Sequence, residues 1–166
     1  MRIIALRAPL AGDLREIVAA LKIAGVLERI GDYAKNIAKR ASALAQAPPI
    51  EPVIIVPEMA RAVIAMIKDV LDAFVDRDAA LARAVTERDR RVDDFYNSLF
   101  RSLLTFMMEN PQYITPSTHL LFVAKNLERI GDHATSVGEM VHFAVTGDHI
   151  VDRPKTDDTS TFANRS

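Results

Sequence analysis

Apolar residues recur three and four positions apart in two long stretches of the chain. The first stripe contains Ala20, Ile23, Leu27, Ile30, Ala34, Ile37, Ala41 and Leu44, and the second contains Leu120, Val123, Leu127, Ile130, Ala134, Val137, Val141 and Ala144. This spacing is typical of the core-facing seam of a long bundle helix. The pattern therefore predicts helices over 13–46 and 114–146, the first of them capped by Asp13 with Glu16 three residues later.

Two more helices are predicted between these stretches, over 57–76 and 78–109, because apolar residues recur there at the same spacing. The segment 47–56 instead contains Pro48, Pro49 and Pro52, followed by the apolar run 53–56. A single strand has nothing to pair with, so we expect an extended, proline-rich linker. After Gly147 the chain becomes polar, and a disordered tail is expected over 148–166.

The two stripes belong to an internal repeat. The six residues 27–32, Leu-Glu-Arg-Ile-Gly-Asp, recur letter for letter at 127–132, with matching apolar neighbours. Six identities in a row indicate a duplication. We therefore expect 1–46 to be the remnant of a first repeat, mainly one long helix preceded at 2–6 by the end of another. Residues 57–147 should form a complete second repeat of three helices.

Composition narrows the possible functions. The chain has 166 residues, of which 49% are apolar and 26% charged, with 21 basic and 22 acidic side chains. Without a basic excess, nucleic acid is not expected as the main partner. The absence of cysteine excludes disulfides and thiolate metal sites and agrees with a cytosolic protein. No apolar run approaches the roughly 18 residues of a membrane span.

Paired carboxylates are the candidate chemistry. Glu128 and Asp132 lie one helical turn apart, as do Asp89 and Asp93 on the preceding antiparallel helix. If the pairs converge, four carboxylates cannot all stay ionised unless cations offset them or some take up protons. Such oxygen clusters suit Mg, Ca, Mn or iron. The alternative is a solvated acidic strip whose members form surface ion pairs with neighbouring arginines.

The first copy contains only half of this arrangement, because Glu28 and Asp32 have no matching pair on a neighbouring helix. Each copy also has a glycine in mid-helix, Gly31 or Gly131. An exposed glycine there costs roughly 1 kcal/mol relative to alanine. Its presence in both copies indicates close approach of another backbone or a bulky group.

A different metal site is conceivable at Glu139 and His142, which match the Glu-x-x-His string of ferritin-like di-iron bundles. The string occurs once, so we do not favour it. His133 follows Asp132 directly, and Tyr33 holds the same place in the first copy. We expect His133 to be an exposed surface histidine.

The doubled Leu-Glu-Arg-Ile-Gly-Asp motif resembles the PhoU family, as do the flanking segments 5–9, 13–15, 77–82, 89–96 and 109–111. The resemblance implies an all-α fold of PhoU-like three-helix bundles. Members of this family begin with two more helices, so the C-terminal bundle is expected to be complete and the N-terminal bundle partial. It also implies a cytoplasmic, usually dimeric protein that is not an enzyme.

The resemblance further implies a regulator that restrains the phosphate-starvation response, the Pho regulon, when phosphate is plentiful. Its partners would be the PstB-type ATPase of the phosphate ABC transporter and a PhoR-type sensor kinase, so that it meets the membrane only through them. The implied metal ligands are Asp89, Asp93, Glu128 and Asp132 as one cluster, with Glu28 and Asp32 as half of another. Divalent or trivalent ions are expected, with iron, Mn, Mg, Zn and Ni as candidates.

Two other functions stay open from the residues alone, a metal-carboxylate enzyme and a purely structural helical adaptor. A second titratable constellation with an open ligand position and a pocket would favour the enzyme, but the sequence shows no such base or nucleophile. The apolar seam of helix 13–46 lacks most of its own bundle, so it must be covered by the C-terminal bundle or by a second chain. We favour a homodimer.

Overall fold

A computed structural model describes residues 11–47 and 50–150. It contains four α-helices: α1 (Ala11–Leu44), α2 (Ile55–Asp76), α3 (Ala79–Glu109) and α4 (Ile114–Thr146), with short 3-10 helices at Glu51–Ile54 and Pro111–Tyr113. Neither described range contains a strand. The predicted all-α bundle is therefore confirmed, and each predicted helix is present with ends shifted by at most two residues.

The second repeat is a three-helix bundle of α2, α3 and α4, each packed against the other two. Short connections reverse the chain between them. Arg77 ends α2 in the left-handed region at φ 54°, and the Asp78 carboxylate caps α3 by accepting from the backbone N–H groups of Ala80 and Leu81, both at 2.9 Å. The core consists of fully buried aliphatic side chains, the largest being Met59, Met66, Leu99, Leu103 and Leu120.

Small residues on α4 allow α3 to approach it closely. A Cβ atom at Gly138 would lie 2.8 Å from the backbone oxygen of Ala82, and one at Gly131 would lie 3.3 Å from Asp89 Oδ1. The close approach predicted from the mid-helix glycines is therefore confirmed for Gly131. At Gly31 a Cβ would meet nothing within 4 Å in the described part of the chain.

The first helix packs mainly along α4, on the side away from the α2–α3 pair. It runs antiparallel to α4, because Arg15 at its start lies beside Gly147 and Arg40 near its end bonds to His119. Ile23 is buried in this interface, and Ile30 and Ile37 are half-buried. Helix α4 of the same chain thus covers Ile23 and part of the rest of the seam, whereas Ala20, Ala34 and Ala41 are exposed. The homodimer stays a prediction.

Two local predictions were wrong. The linker is not extended at 51–56, because Glu51–Ile54 forms a 3-10 helix and α2 begins at Ile55. Pro52 suits the start of such a turn, since its φ is already fixed, and burying Pro52 and Ile50 holds the segment on the bundle. Asp13 is not an N-cap, because it lies inside α1.

Some predictions fall outside the described residues. One is the helix end at 2–6, and the other is the polar tail beyond residue 150. The described part of the tail, 148–150, is not helical. The division into 1–46, 47–56 and 57–147 stays a prediction. No helix within 11–47 or 50–150 is both long enough and apolar enough to cross a lipid bilayer.

Candidate functional site

An acidic cluster lies where α3 packs on α4. Asp89 and Asp93 come from α3, and Glu128 and Asp132 come from α4, as the spacing predicted. Asp89 is only 5% exposed and sits against the Cα of Gly131, in the place that a larger side chain would take. The Glu128 side chain is 15% exposed. Two of the four carboxylates are therefore largely removed from water.

The surroundings of Glu128 shift the pKa of its carboxyl. Burial raises the pKa of its carboxyl, the ion pair with Lys125 lowers it, and the charges of Asp132 and Asp93 raise it again; the net direction is upward. Lys125 Nζ lies 2.8 Å from Oε1, whereas Oε2 is buried without a hydrogen-bond partner among the described residues. This carboxylate is thus short of positive charge and of donors.

Lys125 is a member of the cluster that the sequence interpretation missed. Besides pairing with Glu128, its ammonium lies 4.9 Å from the centre of the Tyr96 ring on α3. The sequence did contain a signal for the Lys125–Glu128 pair, because side chains three residues apart share a helix face. Arg88, an arginine adjacent to Asp89 in the sequence, pairs with Asp69 of α2.

The geometry brings the carboxylates near one another without forming a metal-holding group. Across 11–47 and 50–150, no three side chains of His, Asp or Glu stand close enough together to hold an ion. The donor set still fits a hard cation, because all four candidates are carboxylates and Glu128 has a buried oxygen without a donor. Binding would require side-chain rotation about this shared face, so the metal site stays a prediction.

The half cluster of the first copy looks different. Glu28 and Asp32 are both exposed on α1 and join no group of three potential ligands in the described ranges. Glu139 and His142 of the Glu-x-x-His string likewise join no group of three potential metal ligands in the described ranges. His142 Nδ1 instead lies 3.1 Å from the backbone oxygen of Asp148, beyond the end of α4.

The two copies of the six-residue motif meet where α1 crosses α4. Tyr33 stacks on His133, its equivalent in the repeat, with ring centres 5.5 Å apart and planes inclined by 24°. Arg129 lies over the Tyr33 ring at 5.9 Å, and the equivalent Arg29 lies close enough to His133 to influence its titration. Equivalent residues thus make reciprocal contacts, which indicates a pseudo-twofold axis through the crossing.

This crossing corrects the expectation of an exposed His133. The ring is half-buried, and burial lowers its pKa, with a further lowering by Arg29 and an opposing effect of Asp132. Nothing in the local sequence around His133 predicts this burial, because its stacking partner is 100 residues away.

Several known proteins are similar to this chain in sequence and in fold. The model of the PhoU domain matches residues 1–41 and 56–141, which is most of the chain. The chain belongs to the PhoU family. The suspected resemblance is therefore confirmed, and the all-α bundle is the fold of this family's solved structures. With PhoU of Pseudomonas aeruginosa the TM-score is 0.84 at 40% identity, covering 89% of this chain and 71% of that one.

Other members are similar over nearly the same range. A phosphate-specific transport system accessory protein PhoU homolog of Zymomonas mobilis is 54% identical over 158 residues, covering 95% of this chain and 67% of that protein. The homolog of the same name in Caulobacter vibrioides is 53% identical and covers 94% and 69%. The phosphate transport system regulatory protein PhoU of Streptococcus pneumoniae gives a TM-score of 0.81 at 27% identity. The chain thus spans about two thirds of these PhoU proteins.

Proposed function

We propose that this PhoU-family chain is a non-catalytic regulator of phosphate uptake. The observation that carries the proposal is its 54% identity, over 95% of its length, to a protein named as an accessory protein of the phosphate-specific transport system. The acidic cluster and the crossing of the two motifs both lie inside the matched residues.

In the proposed mechanism the protein couples the phosphate ABC transporter to the sensor kinase. It binds the PstB-type ATPase and the PhoR-type kinase in the cytoplasm and thereby keeps the Pho regulon off when phosphate is plentiful. A long, rigid four-helix body suits such bridging, because α1 and the α2–α3 pair present separate surfaces on either side of α4. A pull-down of both partners at high and low phosphate tests the coupling.

Deletion of the gene is the sharper test. In phosphate-rich medium the deletion should switch on the phosphate-starvation genes, and a plasmid copy of the wild type should restore repression. The strain must lack any other PhoU-family gene, since a second copy would mask the effect. Unchanged expression in that strain would refute the regulatory proposal.

A bound cation is the second part of the proposal. Asp93, Glu128 and Asp132, with Asp89 beside them, would hold a divalent or trivalent ion. Its charge would offset the burial of Glu128 and the charges of Asp132 and Asp93, which raise the pKa of the Glu128 carboxyl. When bound, such an ion would supply positive charge that ties α3 to α4. Lys125 supplies part of that charge through its contact with Glu128.

Metal analysis of protein purified without chelator tests this part. The double variant Asp93→Asn/Asp132→Asn should lose the metal that the wild type carries. Asp94→Asn is the matched control, because Asp94 is an exposed carboxylate on the same helix. Equal metal content in all three proteins would exclude the proposed site.

Self-association is the third part. Near its start, α1 leaves apolar side chains in water beside its contact with α4, with Leu14 39%, Val18 38% and Leu21 54% exposed. These residues lie at helical spacing and so form one stripe. We propose that this stripe, rather than the seam that packs on α4, contributes to a homodimer.

A further inference from the structure

A basic cleft opens between the C-terminal half of α1 and the N-terminal half of α4. It encloses about 560 Å³, which is within the usual size of a small-molecule site. Among the described residues, its lining contains three cationic side chains and no carboxylate. The lining residues are Asn36, Lys39, Arg40, Ala43, His119, Phe122, Asn126 and Arg129.

In the part of the chain that the structure describes, no carboxylate pairs with the cationic side chains of this basic cleft. None of Lys39, Arg40 and Arg129 forms a salt bridge with a carboxylate in the described ranges. Elsewhere on the described surface, arginines and lysines pair readily, as Arg77 does with Glu16 and Lys68 with Asp72. Like charges that share a cleft repel one another, so an anion bound there would be stabilised by all three.

Aromatic rings hold part of the cleft in place. The guanidinium of Arg40 lies 4.4 Å from the centre of the Phe122 ring and donates to His119 Nδ1 at 3.1 Å. Since arginine can only donate, Nδ1 must accept, and His119 keeps its proton on Nε2. Asn126 is nearly buried and is fixed by its own bond to the backbone oxygen of Phe122. These contacts reduce the side-chain freedom that ligand binding would otherwise have to restrict.

The duplication provides an internal comparison. Under the repeat, the equivalent positions at the other end of the α1–α4 crossing are Ala19, Lys22, Val26, Arg29, Ser136, Glu139, Met140 and Phe143. This set has two cations and one carboxylate, a net charge of +1 against +3 in the basic cleft. Four of its members, Ala19, Lys22, Met140 and Phe143, line a largely apolar pocket. Packing α1 on α4 therefore does not require the basic set.

We propose that the basic cleft binds a phosphate oxyanion, either free phosphate or the phosphoryl groups of a nucleotide. Arginine donates two parallel hydrogen bonds to phosphate oxygens, and lysine adds a point charge. The volume and the half-exposed Phe122 ring, at 47%, leave space for a nucleotide base. This inference goes beyond the proposed regulatory function and rests on the cleft alone.

Titration calorimetry on the full 166-residue chain tests the proposal, with inorganic phosphate, ADP and ATP as separate ligands at low ionic strength. The variant Lys39→Gln/Arg40→Gln should bind at least about tenfold more weakly, because charged hydrogen bonds are lost. Lys22→Gln/Lys35→Gln is the matched control, since it removes two cations from α1 outside the cleft. It should bind within about twofold of the wild type once the general effect of net charge is subtracted.

If circular dichroism shows that the double variant is poorly folded, Arg129→Gln gives a second measurement from the other side of the cleft. Tighter binding of the nucleotides than of phosphate would assign the phosphoryl groups of a nucleotide as the ligand, and the reverse order would assign free phosphate. No binding of any of the three ligands at 10 mM would overturn the proposal. So would equal weakening by the cleft variants and the control. Neither result bears on the gene-deletion test.

Discussion

Substituting two glycines that stand in different surroundings tests the close packing of α3 on α4. Gly138 lies under the backbone of α3, whereas Gly31 faces open space in the described part of the chain. Alanine in a helix interior is favoured over glycine by about 1 kcal/mol at either site. Because this gain is common to both substitutions, the difference between them isolates the cost of the contact.

The structure sets the size of that cost. The added Cβ at Gly138 would lie 2.8 Å from the oxygen of Ala82 and 3.1 Å from Thr86 Cγ2, and the first of these is a backbone atom that no rotamer change can move. Overpacking of this kind costs about 1–3 kcal/mol. We expect Gly138→Ala to be neutral or destabilising by up to about 2 kcal/mol, and Gly31→Ala to be stabilising by about 0.5–1 kcal/mol.

Thermal and urea unfolding followed by circular dichroism measure both variants. For a chain of this length, 1 kcal/mol shifts the midpoint temperature by about 2–4 °C, so the two variants should differ by several degrees. Equal stabilisation by both substitutions would refute the close approach of α3 to α4. Destabilisation by Gly31→Ala would contradict the open space beside that glycine.

Three further predictions concern titration and assembly. Folding lowers the pKa of His133, so the stability of the wild type should fall as the pH drops below about 6.5, the ordinary pKa of histidine. The variant His133→Tyr, measured with chelator present, should lose less stability than the wild type between pH 7 and 5. Glu128 has a raised pKa, so the wild type should gain stability relative to Glu128→Gln as the pH falls from 7 towards 5; a difference independent of pH would show that the carboxyl is not desolvated. Leu21→Glu should convert a dimer to a monomer in analytical ultracentrifugation, whereas Val75→Glu, at a more exposed position of α2, should not. A wild type that is monomeric at micromolar concentration would exclude the proposed homodimer.

The helices and the family could be derived from the order of residues alone. The apolar spacing along 20–44 and 120–144 depends only on helix geometry, and the repeated motif is a matter of letters. Helix geometry also predicted that Glu128 and Asp132 lie on the same face, because they are four residues apart on one helix. Helix ends and the short turn at Glu51–Ile54 were less predictable, because capping and local burial compete with propensity there.

Everything that depends on how α1 crosses α4 required the folded molecule. The crossing places Tyr33 on His133 and buries Ile23 in place of Ala20. It also brings Lys39 and Arg40 to His119 and Arg129, across about 80 to 90 residues of sequence. The packing of α3 on α4 likewise decides which glycine is covered: Gly131 meets Asp89 and Val92 of α3, whereas Gly31 meets nothing within 4 Å in the described residues, although the motif 27–32 is identical to 127–132. Periodicity gives the direction of a side chain about its own helix axis. The depth, angle and partner of that side chain come from packing between helices, which no local pattern records.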